Sequence, residues 1–191
     1  MLRTLFALTA IVIVGAGCSS IKVIDSEPTS NYYDGAFEYA TQSGEIRTAI
    51  YGSPFEDTAS DHFAKRVTAT MKGTNFGRDV SYVPSTRNTD KKAFHIVTVF
   101  NGVGGFTATE ACENVSEITT RPNVKTTTMH AYFCHGAYPL SSATGFIDNL
   151  KDPSDPRFQE LVRKVALAMI PRYDEENSSG NDVPTITGSV N

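Results

Sequence analysis

The N-terminus carries an apolar segment that is too short to span a membrane. Residues 5–14 are apolar except for Thr9, and a single basic residue, Arg3, precedes them. As a helix, ten residues reach about 15 Å, roughly half of a bilayer core of about 30 Å. A short apolar segment after a basic residue is typical of an export signal that is removed. We therefore predict that residues 1–17 are a signal peptide and that the fold forms from the remaining residues in an oxidising compartment.

Small residues follow the apolar segment and lead to a cysteine. Gly15-Ala16-Gly17 precede Cys18, and Ser19 and Ser20 follow it. This stretch resembles the lipobox of bacterial lipoproteins, and the resemblance covers residues 1–20. It implies cleavage before Cys18 and fatty acyl chains such as palmitate on that cysteine, where each buried methylene contributes about 0.8 kcal/mol of membrane attachment.

The resemblance also implies a location. Lipoproteins with aspartate after the cysteine are commonly kept at the inner membrane, and this chain has Ser19 there. The implied location is the outer membrane, lipid-anchored on its periplasmic face, with the inner membrane as the less favoured place. An ordinary secretory signal that happens to end at a cysteine remains the alternative.

Length and charge limit the rest of the chain. A chain of 191 residues with 40% hydrophobic residues has material for one core. Without residues 1–17 it keeps 16 basic and 21 acidic residues, a formal charge of −5. The nearest approach to a basic cluster is a scatter in one polar loop: Arg78, Arg87, Lys91 and Lys92. Because phosphate tracking needs clustered cations, we expect no nucleic-acid partner.

The chain has three cysteines, so at least one of them cannot join a disulfide within the chain. If Cys18 carries lipid, Cys112 and Cys134 remain and are expected to form a disulfide. Closing a loop of about 23 residues would stabilise the fold by roughly 3 kcal/mol. The alternative is a metal site of Cys112, His130 and Cys134, with His95 as a possible fourth ligand, since His130 and Cys134 would share one face of a strand.

The chain divides into a tether, one domain and a tail. Residues 18–35 contain few core-forming residues and are predicted to be a lipidated, flexible tether. Residues 36–172 contain the periodic apolar patterns and are predicted to form a single domain. Residues 173–191 are acidic and rich in Ser, Gly and Asn, which predicts a disordered tail.

The first half of the domain predicts a hairpin and a helix. Over residues 36–51, aromatic and aliphatic residues alternate with polar ones on both sides of a turn at 41–44. Residues 58–71 have apolar residues every four positions, with Thr58 as the expected N-cap. Residues 74–92 are polar and irregular, which predicts a long loop.

The second half predicts two strands and a second helix. Residues 93–101 have apolar side chains on both faces, which predicts a central strand, and residues 125–136 form the next strand. Asp155 is the expected N-cap of the last helix, with Pro156 at its first position. The order ββαββα predicts an α+β fold: a mainly antiparallel sheet of about four strands with two amphipathic helices packed on one face.

No catalytic constellation is found in the sequence. It contains no GxSxG, HExxH or Walker motif, so no catalytic residues and no cofactor are predicted. The sequence favours a membrane-anchored, non-catalytic binding or assembly accessory that faces the periplasm and has an envelope protein complex as its partner. Two alternatives stay open: a domain that binds a lipid or small ligand between sheet and helices, and a periplasmic hydrolase without a recognisable motif.

Overall fold

A computed structural model of the chain describes residues 21–25, 28–56, 58–85 and 93–171. These residues form six strands, four helices and one 3-10 turn. The strands are β1 (Lys22–Asp25), β2 (Glu45–Tyr51), β3 (Ser81–Ser85), β4 (Phe94–Phe100), β5 (Thr126–His135) and β6 (Tyr138–Asp148). The helices are α1 (Ala36–Ala40), α2 (Ser60–Met71), α3 (Ala108–Asn114), which the 3-10 turn Val115–Glu117 follows, and α4 (Pro156–Met169).

All six strands belong to one mixed sheet with the order β1-β6-β5-β4-β2-β3. Neighbours are antiparallel from β1 to β4 and parallel from β4 to β3. Parallel neighbours need a crossover connection, and α2 provides it between β2 and β3. The structure is thus α+β, but the prediction of about four mainly antiparallel strands with two helices is wrong. The described residues form a six-stranded mixed sheet with four helices.

Three strands were not predicted from the sequence, and their neighbours explain why they form. β1 falls within the predicted tether and pairs with β6 from Lys22–Phe146 to Asp25–Ala143. β3 falls within the predicted loop 74–92 and pairs with β2 at the edge of the sheet, where the missing N–H of Pro84 is tolerated. β6 is held between two partners, β5 and β1.

The first predicted strand is a helix. In a strand, Phe37 and Tyr39 would point to the same face, but in α1 Phe37 is buried and Tyr39 is exposed. Gly35, with a φ of 77°, starts the helix in a left-handed conformation that favours glycine. The predicted hairpin is therefore wrong. Its second strand is confirmed, because β2 follows the predicted turn.

The helices α2 and α4 cover one face of the sheet. The buried side chains of α4 are Phe158, Leu161, Val162, Val165, Ala166 and Met169. Asp155 caps α4 by accepting a hydrogen bond from the N–H of Arg157 at 3.0 Å, and Pro156 is the first helical residue, both as predicted. At the start of α2 the N-cap is Ala59, without a side-chain hydrogen bond, so the prediction of Thr58 is wrong.

Gly145 of β6 lets α4 lie close to the sheet. A Cβ atom at this position would lie 2.3 Å from Cγ2 of Val165 and 2.7 Å from Cδ1 of Leu161. Any side chain here would therefore force the side chains of Val165 and Leu161, or the helix that carries them, to shift. The absence of a side chain in the middle of a strand is explained by this contact, because glycine in a strand commonly marks a close approach of another element.

The other face of the sheet packs against α3 and the residues around it. Its core consists of Ala49, Val97, Val99, Ala111, Cys112, Ile118, Tyr132 and Cys134. Thr107 and Glu110 form a capping box at the start of α3, which fixes where the helix begins. We call this side of the sheet the α3 side and the opposite side the α2–α4 side.

The strand directions define two ends of the sheet. At the proximal end β1 begins next to the last residues of β6, as the pair Lys22–Phe146 shows. β2 and β4 finish at that end and β5 starts there. At the distal end β2, β3, β4 and β6 begin and β5 finishes.

Candidate functional site

The two cysteines of the folded domain are bonded to each other. The disulfide joins Cys112 in α3 to Cys134 in β5, with their Cα atoms 5.8 Å apart. Both residues are fully buried in the core of the α3 side. The prediction of this disulfide is confirmed, and the bond fastens α3 to the sheet. Cys18 lies outside the described residues.

Because both sulfur atoms are in the disulfide, they cannot serve as ligands of the alternative metal site. Metal ions bind the thiolate form of cysteine, and neither Cys112 nor Cys134 has a thiol in this structure. Nδ1 of His130 lies 3.0 Å from the hydroxyl oxygen of Thr144, and its ring stands edge-on to Phe106. Among residues 21–25, 28–56, 58–85 and 93–171, no three His, Cys, Asp or Glu side chains are grouped so that they could hold a metal ion.

Two histidines lie on the α3 side of the sheet. His95 is buried and pairs across the ladder with Cys134, and its Nδ1–H donates to the carbonyl oxygen of Ala93 at 3.1 Å. Burial lowers the pKa of His95, and burial likewise lowers the pKa of His130. Burial thus favours the neutral form of both imidazoles.

An open groove runs along α3. Its volume is about 680 Å³. Its polar lining includes Glu110, Glu113 and Glu117, and its apolar lining includes Phe106 and Ile118. We call it the acidic groove. Glu110 accepts hydrogen bonds from the N–H and hydroxyl of Thr107, and these bonds lower the pKa of its carboxyl group.

Aromatic side chains line up across the distal end of the sheet. Phe94 and His135 pair across the ladder with their rings stacked at 4.3 Å, and Tyr39 of α1 stands edge-on to Phe94 at 5.8 Å. Tyr138 pairs with His135 on the next strand. Tyr39 is 59% exposed and Tyr138 is 64% exposed. We call these four residues the aromatic row.

An exposed aromatic row is suited to binding. Tyrosine combines a large apolar area with a hydroxyl group, and aromatic residues are enriched where proteins contact their partners. The sequence did not predict the row, because its pattern placed Tyr39 in a strand and Tyr138 outside any element. The sequence signal for the row was the presence of aromatic residues close to the ends of the predicted strands, such as Tyr138 after the strand 125–136.

Of the four basic residues in the predicted polar loop, Arg78 lies in the described part of the chain. Arg78 donates a hydrogen bond to the carbonyl oxygen of Gln42 at 2.9 Å, which links the start of β3 to the turn before β2. Arg87, Lys91 and Lys92 lie outside the described residues. No helix in the described ranges is long and apolar enough to cross a membrane.

Comparisons with known proteins do not place the chain in a family. No family model matches it, and no curated protein matches it. Among solved structures, a dodecamer of PelC from Paraburkholderia phytofirmans is similar over 81% of this chain and 100% of its own, with 10% identity and a TM-score of 0.43. A single-substitution variant of that dodecamer matches over 78% of this chain and 98% of its own, with 9% identity and a TM-score of 0.42. Likenesses at these values define neither the family nor the function of this chain.

Proposed function

We propose that the chain is a lipoprotein of the cell envelope, held at the periplasmic side of the outer membrane by lipid on Cys18. Its folded part acts as a non-catalytic docking accessory of an envelope protein complex. One observation carries this proposal: the start of the sheet and the aromatic row lie at opposite ends of the strands. A lipid before β1 would hold the domain by its proximal end and present the aromatic row away from the membrane.

The short distance along the chain supports this orientation. Only three residues separate Cys18 from Lys22, where β1 begins. Four residue steps span at most about 14 Å when fully extended. A lipid on Cys18 would therefore keep the proximal end of the sheet close to the lipid headgroups, while the seven residues of β4 separate this end from the distal end.

The chemistry of the exposed residues supports docking over catalysis. The aromatic row offers apolar area with hydroxyl groups at its edges, which suits a protein surface. Between the sheet and α2–α4, where a lipid or small ligand would have to lie in the alternative function, the space is filled by buried side chains such as Phe63, Phe100 and Phe158.

The anchor is tested by mass spectrometry of the membrane fraction. We expect a mature chain that begins at lipid-modified Cys18, and we expect Cys18→Ser to be unprocessed or released from the membrane. A different mature N-terminus, or a Cys18→Ser chain that is processed and retained like the wild type, would contradict the anchor.

Docking is tested by site-specific photocrosslinking in intact cells. A photoreactive phenylalanine analogue replaces Tyr39 or Tyr138 in separate chains, and the matched control places it at Lys125, an exposed residue at the proximal end. We expect one discrete protein adduct from the two aromatic positions and not from the control. Equal adduct patterns at all three positions, or a co-purified lipid without a protein adduct, would count against docking through the aromatic row.

A further inference from the structure

The turn before β5 combines cationic and apolar side chains at the proximal end of the sheet. It comprises residues 121–125, and all five are exposed. Arg121 and Lys125 are its cations, and neither is in an ion pair with a residue of the described ranges. Val124, between them, is 36% exposed. We call residues 121–125 the proximal turn.

Backbone hydrogen bonds hold the proximal turn against the end of the sheet. The N–H of Arg121 donates to the carbonyl oxygen of Asn101 at 3.1 Å. The N–H of Asn123 donates to the carbonyl oxygen of Pro54 at 3.0 Å. Because its backbone is fixed in this way, the turn loses little conformational entropy when its side chains bind.

The strand register places the end of this turn beyond the start of β1. Lys22 pairs with Phe146, and Phe146 pairs with Thr128 on the next strand. Lys125 precedes Thr128 by three residues, and its carbonyl oxygen continues the ladder by accepting from the N–H of Asn149 at 2.8 Å. At about 3.4 Å per residue, Lys125 lies about 10 Å further than Lys22 in the proximal direction.

The length of chain before β1 limits how far a lipid on Cys18 can be from the proximal turn. The four residue steps from Cys18 to Lys22 span at most about 14 Å. The lipid-bearing residue can therefore lie at most about 4 Å beyond Lys125 along the strand direction. Lysine and arginine carry their charge at the end of a long flexible stem, so they can cover this remaining distance to the headgroups.

We infer that the proximal turn contacts the phosphate groups of the phospholipids in the membrane that holds the chain. This inference rests on the lipid anchor on Cys18 proposed above. Arg121 and Lys125 suit phosphate oxygens as hydrogen-bonding cations, and Val124 adds an apolar side chain at the boundary between headgroups and acyl chains. The turn gives the domain a second attachment, so the domain does not rotate freely about its tether and the aromatic row stays directed away from the membrane.

The contact does not require a positive charge on the whole proximal end. Asp148, Asp152 and Asp155 lie at the same end, and Asp155 is paired with Arg157. The anchor brings the turn to the membrane at a high effective concentration, so the two cations act at short range. Residues 118–147 contain no aspartate or glutamate, so the turn has no carboxylate beside its cations in the sequence.

The contact is tested with the full, lipid-modified chain in vesicles of phosphatidylethanolamine and phosphatidylglycerol, a fraction of which carries a quencher on the headgroup. A fluorophore is attached to Val124→Cys, and the matched control carries it on Ser43→Cys, an exposed position in the turn before β2 at the distal end. We expect several-fold stronger quenching at position 124 than at position 43.

The outcomes separate this contact from the anchor. Chains that stay on the vesicles but show no quenching at position 124, or equal quenching at both positions, would overturn the contact and leave the anchor intact. Chains that do not stay on the vesicles would overturn the anchor and the contact together.

Charge reversal tests the role of the two cations. Arg121→Glu with Lys125→Glu, in the Val124→Cys chain, should lower the quenching several-fold, because carboxylates are repelled by lipid phosphates. Arg66→Glu with Lys72→Glu makes the same change of charge at exposed positions in the second half of α2 and just after it, and quenching should be unchanged.

Thermal unfolding of each variant reports whether it is folded. If the reversal unfolds the chain, Arg121→Gln with Lys125→Gln replaces it and should also lower the quenching, by a smaller factor. Undiminished quenching in a folded chain that lacks both cations would overturn the contact with phosphate.

Discussion

The two sides of the sheet are stabilised by different means. The α2–α4 side has a core of 24 buried residues, whereas the α3 side has a core of eight. The smaller core contains the disulfide between α3 and β5, and the larger core contains no covalent link. Apolar burial is enough to hold two long helices on the sheet. The short helix α3, of seven residues, buries less apolar surface and is attached to the sheet by a covalent bond as well.

The largest effect is expected from a cavity in the large core. Phe158 is fully buried and contacts the rings of Phe55, Phe63 and Phe100 at centroid distances of 5.4 to 5.9 Å. Phe158→Ala should lower the free energy of unfolding by about 3–5 kcal/mol, measured by urea denaturation. Gln159→Ala, a change at the exposed next residue, is the control and should have little effect. A loss below about 1 kcal/mol for Phe158→Ala would show that this core does not depend on tight packing.

The next effect concerns the small core. Replacing Cys112 and Cys134 together by serine should cost roughly 3 kcal/mol of stability, because the unfolded chain is no longer cross-linked. Partner binding should be retained under conditions in which the variant is folded. Alkylation of the native protein without reductant should label neither residue. Two freely alkylatable thiols, or zinc released in equal amount with the protein, would instead favour the metal site.

A smaller effect is expected from acid, and it should come from the α3 side. The pKa values of His95 and His130 are lowered by burial, so the unfolded chain binds their protons more readily than the folded chain. Stability should therefore be constant above the unfolded histidine pKa of about 6.5 and fall as the pH drops below it. Urea denaturation from pH 8 to pH 5 measures this, and His95→Gln with His130→Gln should flatten the profile. An unchanged slope in that variant would place the acid sensitivity elsewhere.

The smallest effect is expected from the C-terminal tail. Residues 173–191 follow α4 and have no periodic apolar residues, so deleting them should change the free energy of unfolding by less than about 1 kcal/mol. Thermal unfolding of the full and shortened chains gives the difference. A larger loss of stability would mean that the tail packs against the domain. If it packs beside α4, the core of the α2–α4 side is larger than its described residues indicate.

The elements that the sequence predicted correctly are those whose own pattern of apolar residues defines them. The helices α2 and α4 each bury one stripe of apolar residues, and β4 is apolar on both faces because it lies inside the sheet. The disulfide followed from the cysteine count and the predicted compartment. In each case the signal lies within one segment of the chain, such as Pro156 after Asp155.

The remaining elements depend on distant residues and could not be read locally. β6 contains Pro139 and a run of small and hydroxylated residues, and it is a strand because two other strands pair with it. β1 depends on β6 in the same way. The aromatic row is assembled from α1, β4, β5 and β6, so its members are not neighbours in sequence.

The pairing of β1 with β6 sets the order in which the protein can be completed. Lys22 lies opposite Phe146, more than 120 residues later in the chain. At a synthesis rate of about 5–20 residues per second, β6 is made roughly 6–25 seconds after β1. During that time the first strand has no partner, so the sheet cannot be completed before β6 has been made. A lipoprotein exported as proposed above would benefit from such a delay, because its earliest strand stays unpaired until most of the domain has been synthesised.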